Sequence, residues 1–183
     1  MKYLVFLFYT FLTSIATAQN YYSAESGHVK FFSKAPLEDI EAKTTNVKAI
    51  INDSTRDVAV LIPIKSFVFK KSLMQEHFNE NYMESDRYKD ASFKGKLTER
   101  LMLKRGERKE IAVTGQLTIH GVSQQRMVTV SLKKEADNSL IAIGKFNVRI
   151  ADHNIKIPTL LFQNIAEVVE ITFDLNLKPA VQL

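Results

Sequence analysis

Residues 111–122 read Ile-Ala-Val-Thr-Gly-Gln-Leu-Thr-Ile-His-Gly-Val. Ile111, Val113, Gly115, Leu117 and Ile119 alternate with Ala112, Thr114, Gln116 and Thr118. Successive side chains of a strand point to opposite faces, so this pattern puts one face in an apolar interior and the other in water. The four residues from Ile119 to Val122 then predict a two-residue hairpin, with Gly121 free to take a positive φ. A strand over 122–134 follows.

Outward from this hairpin the same period repeats. Val169, Ile171, Phe173, Leu175 and Leu177 alternate with Glu170, Thr172, Asp174, Asn176 and Lys178. Ala91, Phe93, Gly95, Leu97 and Glu99 face opposite Ser92, Lys94, Lys96 and Thr98. One wet face per strand is the mark of antiparallel sheet, because buried parallel strands read as continuous apolar runs. Further strands are expected over 27–34, 42–52, 56–69 and 140–151, with a short extra one over 20–25. Asp137-Asn138 is expected to turn the chain before Leu140. The chain therefore reads as all-β, with about eight antiparallel strands in a single domain.

The 56–69 strand changes phase. Val58, Val60, Ile62 and Ile64 share one parity, whereas Phe67 and Phe69 share the other. A bulge near Pro63 and Ser66 is expected there, bending the strand as a barrel corner requires.

A short amphipathic helix is expected over 72–83. Ser72 with Gln75 fits a capping box. Leu73, Met74, His77, Phe78 and Tyr82 recur at helical spacing, while Glu76, Asn79 and Glu80 point away. Such a helix either plugs the core or lines a ligand cavity, and both readings fit. Met74, Phe78, Tyr82 and Met83 suit a flexible apolar ligand, because methionine adapts in shape and tyrosine adds a polar handle. A second irregular segment, 152–166, carries Pro158 and an apolar knot of Leu160, Leu161 and Phe162. It either closes the opposite end of the structure or fills space under a long connection.

The first 18 residues are set apart from this domain. Lys2 is followed by an apolar run from Tyr3 to Ile15, then by Ala16-Thr17-Ala18. That is the order of a cleaved signal peptide, with Gln19 as the first mature residue. The run is shorter than the roughly 20 apolar residues that span a bilayer. Residues 1–18 are thus expected to be a leader and 19–183 the mature domain, exported to the periplasm. The chain contains no cysteine, which excludes disulfides, thiolate metal sites and a cysteine nucleophile. Its formal charge of +5 falls to +4 once Lys2 leaves with the leader. The excess is small and scattered, and with no aromatic-basic stripe it does not suggest nucleic acid.

Catalytic motifs are not evident. No pair among His28, His77, His120 and His153 has the i, i+4 spacing of a helical zinc site. Gly-x-Ser-x-Gly and glycine-rich phosphate loops are missing. The expectation is therefore of no metal, no cofactor and no enzymatic activity.

In order, the chain carries Phe67-x-Phe69, the block His77-Phe78-Asn79-Glu80-Asn81-Tyr82-Met83, and Ser92-Phe93-Lys94-Gly95. Val113-Thr114-Gly115-x-Leu117-Thr118-Ile119-His120-Gly121-Val122, Gly144-x-Phe146 and Ile155-Lys156-Ile157-Pro158 follow. This series resembles the YceI-like family of exported lipid-binding proteins across nearly the whole mature chain. Lys89 follows Tyr88 where the family has proline, and the helix begins Lys71-Ser72-Leu73-Met74 rather than Arg-Asp-x-His. The resemblance implies a lipocalin-like barrel of eight antiparallel strands with an elongated apolar cavity. It implies a ligand such as a polyisoprenoid, a quinone-like lipid or a fatty-acyl amphiphile.

The expected function is a periplasmic binding or carrier protein for such a lipid. The expected ligand-binding residues are Phe67, Phe69, Met74, Phe78, Tyr82, Met83, Phe93, Phe146, Leu160 and Phe162. Transient contact with a membrane surface and homodimerisation are left open. The competing readings are an enzyme or isomerase acting on the lipid through His77, Tyr82 or Glu84, an outer-membrane barrel, and a β-sandwich adhesion or scaffold module.

Overall fold

The computed structural model describes residues 21–34, 39–156 and 166–180. The expected leader and the knot of Leu160, Leu161 and Phe162 lie outside them. The elements are β1 (Tyr21–Ala24), β2 (Gly27–Ser33), β3 (Ile40–Thr44), β4 (Lys48–Asn52), β5 (Asp57–Pro63), β6 (Val68–Phe69), α1 (Ser72–His77), β7 (Asp90–Leu97), β8 (Arg108–Ile119), β9 (Val122–Lys134), β10 (Leu140–Arg149) and β11 (Val168–Ala180).

The strands follow the order β1-β4-β5-β7-β8-β9-β10-β11, and β11 pairs back to β1, so the sheet closes. Every pairing is antiparallel. Six of the segments are halves of three bent strands. Both β1 and β2 pair with β11, at residues 178–180 and 170–175 respectively. Likewise β4 and β3 pair with β1 and β2, and β5 and β6 with β4 and β3. Counting each bent strand once, the fold is a closed eight-stranded antiparallel barrel carrying one short helix.

The strand expected over 42–52 is interrupted between β3 and β4. There the Thr44 hydroxyl oxygen accepts from the Asn46 N–H at 3.0 Å, and Val47 is fully buried. The phase change after Pro63 is made by a single 3₁₀ turn, Ile64–Ser66, rather than by a bulge. The Ser66 hydroxyl donates to the Pro63 carbonyl at 2.6 Å and sits 2.7 Å from the Thr44 hydroxyl. The turn sends Ile64 and Phe67 into different parts of the core.

The hairpin at His120-Gly121 has φ of 51° and 73°, with Ile119 paired to Val122. Two consecutive positive φ values match the twist of the flanking strands. Gly121 is also needed for space, since a Cβ there would stand 2.5 Å from the Tyr88 ring. At the next β9–β10 connection, Asn138 takes φ 66° and Asp137 accepts from the Ser139 N–H at 2.9 Å.

The helix departs from expectation at its start. Lys71, in extended conformation, occupies the N-cap position, and Ser72 makes no capping bond. Gln75 instead accepts the Phe69 N–H at 3.2 Å, tying the helix to the strand before it. Leu73 is 58% exposed and is not on the buried face. After one α-helical stretch the chain widens into a π turn, Phe78–Tyr82, closed by Met83 N–H to Phe78 C=O at 2.9 Å.

Candidate ligand cavity

Inward residues from all eight strands enclose a cavity of about 140 Å³. Val29 comes from β2, Ile51 from β4, Val60 from β5, Phe93 from β7, Val113 from β8, Val128 from β9, Phe146 from β10 and Phe173 from β11. The two-residue period of each strand makes this surface apolar. Ser92 and Arg126 are the two lining residues with polar side chains. A bound water needs two to four polar partners, which this wall does not supply.

The ends are built differently. At one, Leu97, Leu101, Leu103, Leu132, Leu140 and Leu177 pack into the main core. The Leu101 N–H donates to Asp53 Oδ1 at 2.7 Å, fixing the segment between β7 and β8 that supplies Leu101 and Leu103. At the other, Ile64, Met83, Leu117, Val148, Ile150, Ile155 and Val169 form a second cluster. Phe78, Phe93, Phe146 and Ile171 touch both clusters and so span the barrel.

The helix packs on an aromatic group on the bent-strand side. Phe78 stacks on Phe31 with ring centroids 5.3 Å apart and meets Phe69 at 5.0 Å and Phe67 at 6.0 Å. Phe31 meets Phe67 and Phe69 at 5.6 and 5.5 Å. Aromatic pairs at such separations add attraction beyond the area they bury.

Of the residues expected to contact a ligand, Phe93 and Phe146 line the cavity. Phe67, Phe69 and Phe78 form the aromatic group with Phe31, and Met74 packs on the same core. Tyr82 and Met83 belong to the second cluster, with Met83 buried. Burial raises the Tyr82 phenol above its ordinary value, so it stays protonated. Leu160 and Phe162 lie outside the described residues. The aliphatic wall of Val58, Val60, Ile62, Val128 and Val130 is not among the expected contacts, which are mostly aromatic. Val113, Leu117, Ile171, Phe173 and Leu175 also line the cavity, each on the apolar face of an alternation that a filled core would share.

The polar groups gather at the hairpin end. Arg126 Nη2 donates to Asp152 Oδ2 at 2.6 Å, and Gln124 Nε2 donates to the Asp152 carbonyl at 2.8 Å. His153 is fully buried, and burial pushes its imidazole below the ordinary value, which favours the neutral form. Its Nδ1 lies 3.0 Å from the Val122 carbonyl, which can only accept, so Nδ1 carries the proton. His120 Nε2 is 3.0 Å from Glu84 Oε2, and its Nδ1 is 3.2 Å from the His153 carbonyl. These contacts tie the segment after the helix to the β8–β9 hairpin and the 150–153 turn. Among the described residues, no three acidic or histidine side chains cluster as metal ligands would.

The sequence profile of the YceI-like domain matches residues 14–177. No curated protein matches the chain in sequence. Among solved structures, a polyisoprenoid binding domain from Saccharophagus degradans, implicated in plant cell wall breakdown, superposes with a TM-score of 0.77 at 15% identity, covering 88% of this chain and 99% of that one. BcnA of Burkholderia cenocepacia gives 0.67 at 17% identity, covering 82% and 95%. A YceI protein of Campylobacter jejuni gives 0.55 at 14% identity, covering 80% and 88%. At these identities the likeness is one of fold. With the profile spanning the domain and the closed barrel it encloses, the chain belongs to the YceI-like family.

Proposed function

We propose that this is an exported binding or carrier protein that holds one long apolar chain in its barrel. The chain class is a polyisoprenoid, a quinone-like lipid or a fatty-acyl amphiphile. The observation that carries the proposal is the cavity walled by all eight strands with almost no polar surface. Each CH₂ moved from water into such a wall contributes roughly 0.8 kcal/mol, so about ten of them outweigh part of the ordering cost of binding. The fold of a polyisoprenoid binding domain supports the same ligand class. The leader-like sequence of residues 1–18 supports export, with the periplasm as the working compartment.

At about 140 Å³ the cavity is smaller than a long chain. Full uptake therefore requires side chains of the wall to move aside. Binding is favoured over turnover by the character of that wall. Among the described residues, its one charged side chain is Arg126, which is paired with Asp152, and no carboxylate or imidazole stands in the wall to do acid–base work.

Native mass spectrometry of protein purified from a periplasmic extract tests the proposal. The expected result is a population carrying an extractable lipid. Protein that is empty, and that takes up neither an isoprenoid nor a fatty-acyl probe, would overturn it.

A further inference from the structure

Arg126 interrupts the apolar wall, and its register explains where it stands. It shares the parity of Val128, Val130 and Leu132 on β9, all of which line the cavity. Its cross-strand partner on β8 is Gly115, which has no side chain to compete for the space. The end of the guanidinium is used: Nη2 is bonded to Asp152. Nε is buried and, among the described residues, has no hydrogen-bond acceptor. A donor of this kind, withdrawn from water and unmatched by protein, is costly to leave unmade.

We propose that Arg126 Nε anchors the headgroup of the lipid, and that the head it selects is an uncharged hydrogen-bond acceptor, such as the carbonyl of a quinone, amide or ester. The inference rests on the lipid-holding reading above. Nε–H is a donor only, so the ligand atom it takes must be an acceptor. The positive charge of Arg126 is already matched by Asp152 at 2.6 Å. A carboxylate or phosphate head would bring a second negative charge beside Asp152, in surroundings where like charges repel more strongly than in water. Among the described residues, the one other polar residue bordering the cavity is Ser92, which carries no charge and shares the outward parity of Lys94 on β7. A carbonyl oxygen satisfies Nε without that repulsion.

Three probes with one chain and different ends test this: hexadecane, hexadecanamide and hexadecanoate, measured by displacement of a fluorescent apolar dye from the full mature protein. The expected order is hexadecanamide tighter than both others by about tenfold or more, as suits a hydrogen bond from a charged donor. Within the Arg126→Met variant, hexadecanamide should bind no tighter than hexadecane. The bound carbonyl stretch of ¹³C-labelled hexadecanamide, read on the unsubstituted protein, should move to lower frequency, and this needs no variant that might misfold. A preference for hexadecanoate, an amide preference that survives Arg126→Met, or an unshifted carbonyl band would each overturn the assignment. Tight hexadecane binding with no head preference overturns this inference alone, whereas failure of all three probes to bind overturns the lipid-holding reading with it.

Discussion

The ring of Phe173 lies over Gly144, its partner across β10 and β11, so that a Cβ built on Gly144 would come within 2.4 Å of Phe173 Cζ. The clash is with the far end of a side chain that can rotate, and the space beside it is the cavity that Phe173 lines. Gly144→Ala should therefore push the ring inward, lowering apolar-probe affinity several-fold at a stability cost of about 1–2 kcal/mol. Phe173→Ala should do the reverse, enlarging the cavity while costing about 3 kcal/mol, the low end for a phenylalanine truncation because the ring is only half-buried. Dye-displacement titration and chemical denaturation on both variants check the opposed signs.

A second glycine pair behaves differently. Gly95 and Gly115 face each other across β7 and β8. A Cβ on Gly115 would stand 2.3 Å from the Lys94 carbonyl oxygen and 2.5 Å from the Gly95 Cα. Backbone cannot rotate away, so Gly115→Ala must spread the two strands, at an expected cost of at least about 2 kcal/mol. Gly106, with φ 81° and nothing within 4 Å of an added Cβ, is the control. Its substitution by alanine should cost only about 1 kcal/mol, from the left-handed backbone. Equal losses in urea denaturation would refute the steric account.

The barrel was legible because period-two alternation survives translation into structure: Val169 to Leu177 and Ile111 to Ile119 face inward as their parity requires. The His120-Gly121 turn was legible for the same local reason, since positive φ is written in residue type. Other features depended on contacts distant in sequence. Ser72 lost its expected cap because Gln75 found the Phe69 N–H instead, and Leu73 faces water because the helical segment turns its Met74 and Phe78 side to the core around Phe31. The cavity wall was missed because a filled core and a hollow one share the same alternation. Arg126 alone carried a readable signal, as a charge on the parity of Val128 and Val130.

His153 gives the chain a specific acid sensitivity. Burial is the largest cause of its lowered pKa, so the folded protein holds it neutral below the ordinary value of 6.5 while the unfolded chain takes up a proton. Above that value both states are neutral and the group has no effect. As pH falls from 6.5 toward the lower native value, the unfolded state gains the proton first, and stability declines. His153→Asn, which cannot be protonated, should flatten the stability–pH curve in that interval while leaving the acid limb set by Asp57, Asp86, Asp137 and Glu41, whose carboxyls are held low by hydrogen bonds and nearby lysines. Urea midpoints from pH 7.5 down to 5 decide it; parallel curves would sink the assignment.

Phe78 is where the helix holds the barrel. It is the one helical-segment ring in contact with Phe31, Phe67 and Phe69 together, and it also reaches the second cluster. Phe78→Ala removes three ring contacts at once and should cost about 3 kcal/mol, whereas Leu73→Ala, at an exposed site four residues from His77, should stay within about 0.5 kcal/mol. The kinetic consequence separates a mere core residue from a cover. If the helix closes the route by which a chain leaves, Phe78→Ala should raise the dissociation rate of a bound apolar dye by more than its affinity loss at equilibrium accounts for, so that association quickens as well. Stopped-flow release and uptake measured on the two variants distinguish the cases, because loss of contact energy alone would raise the off-rate and leave the on-rate where it was.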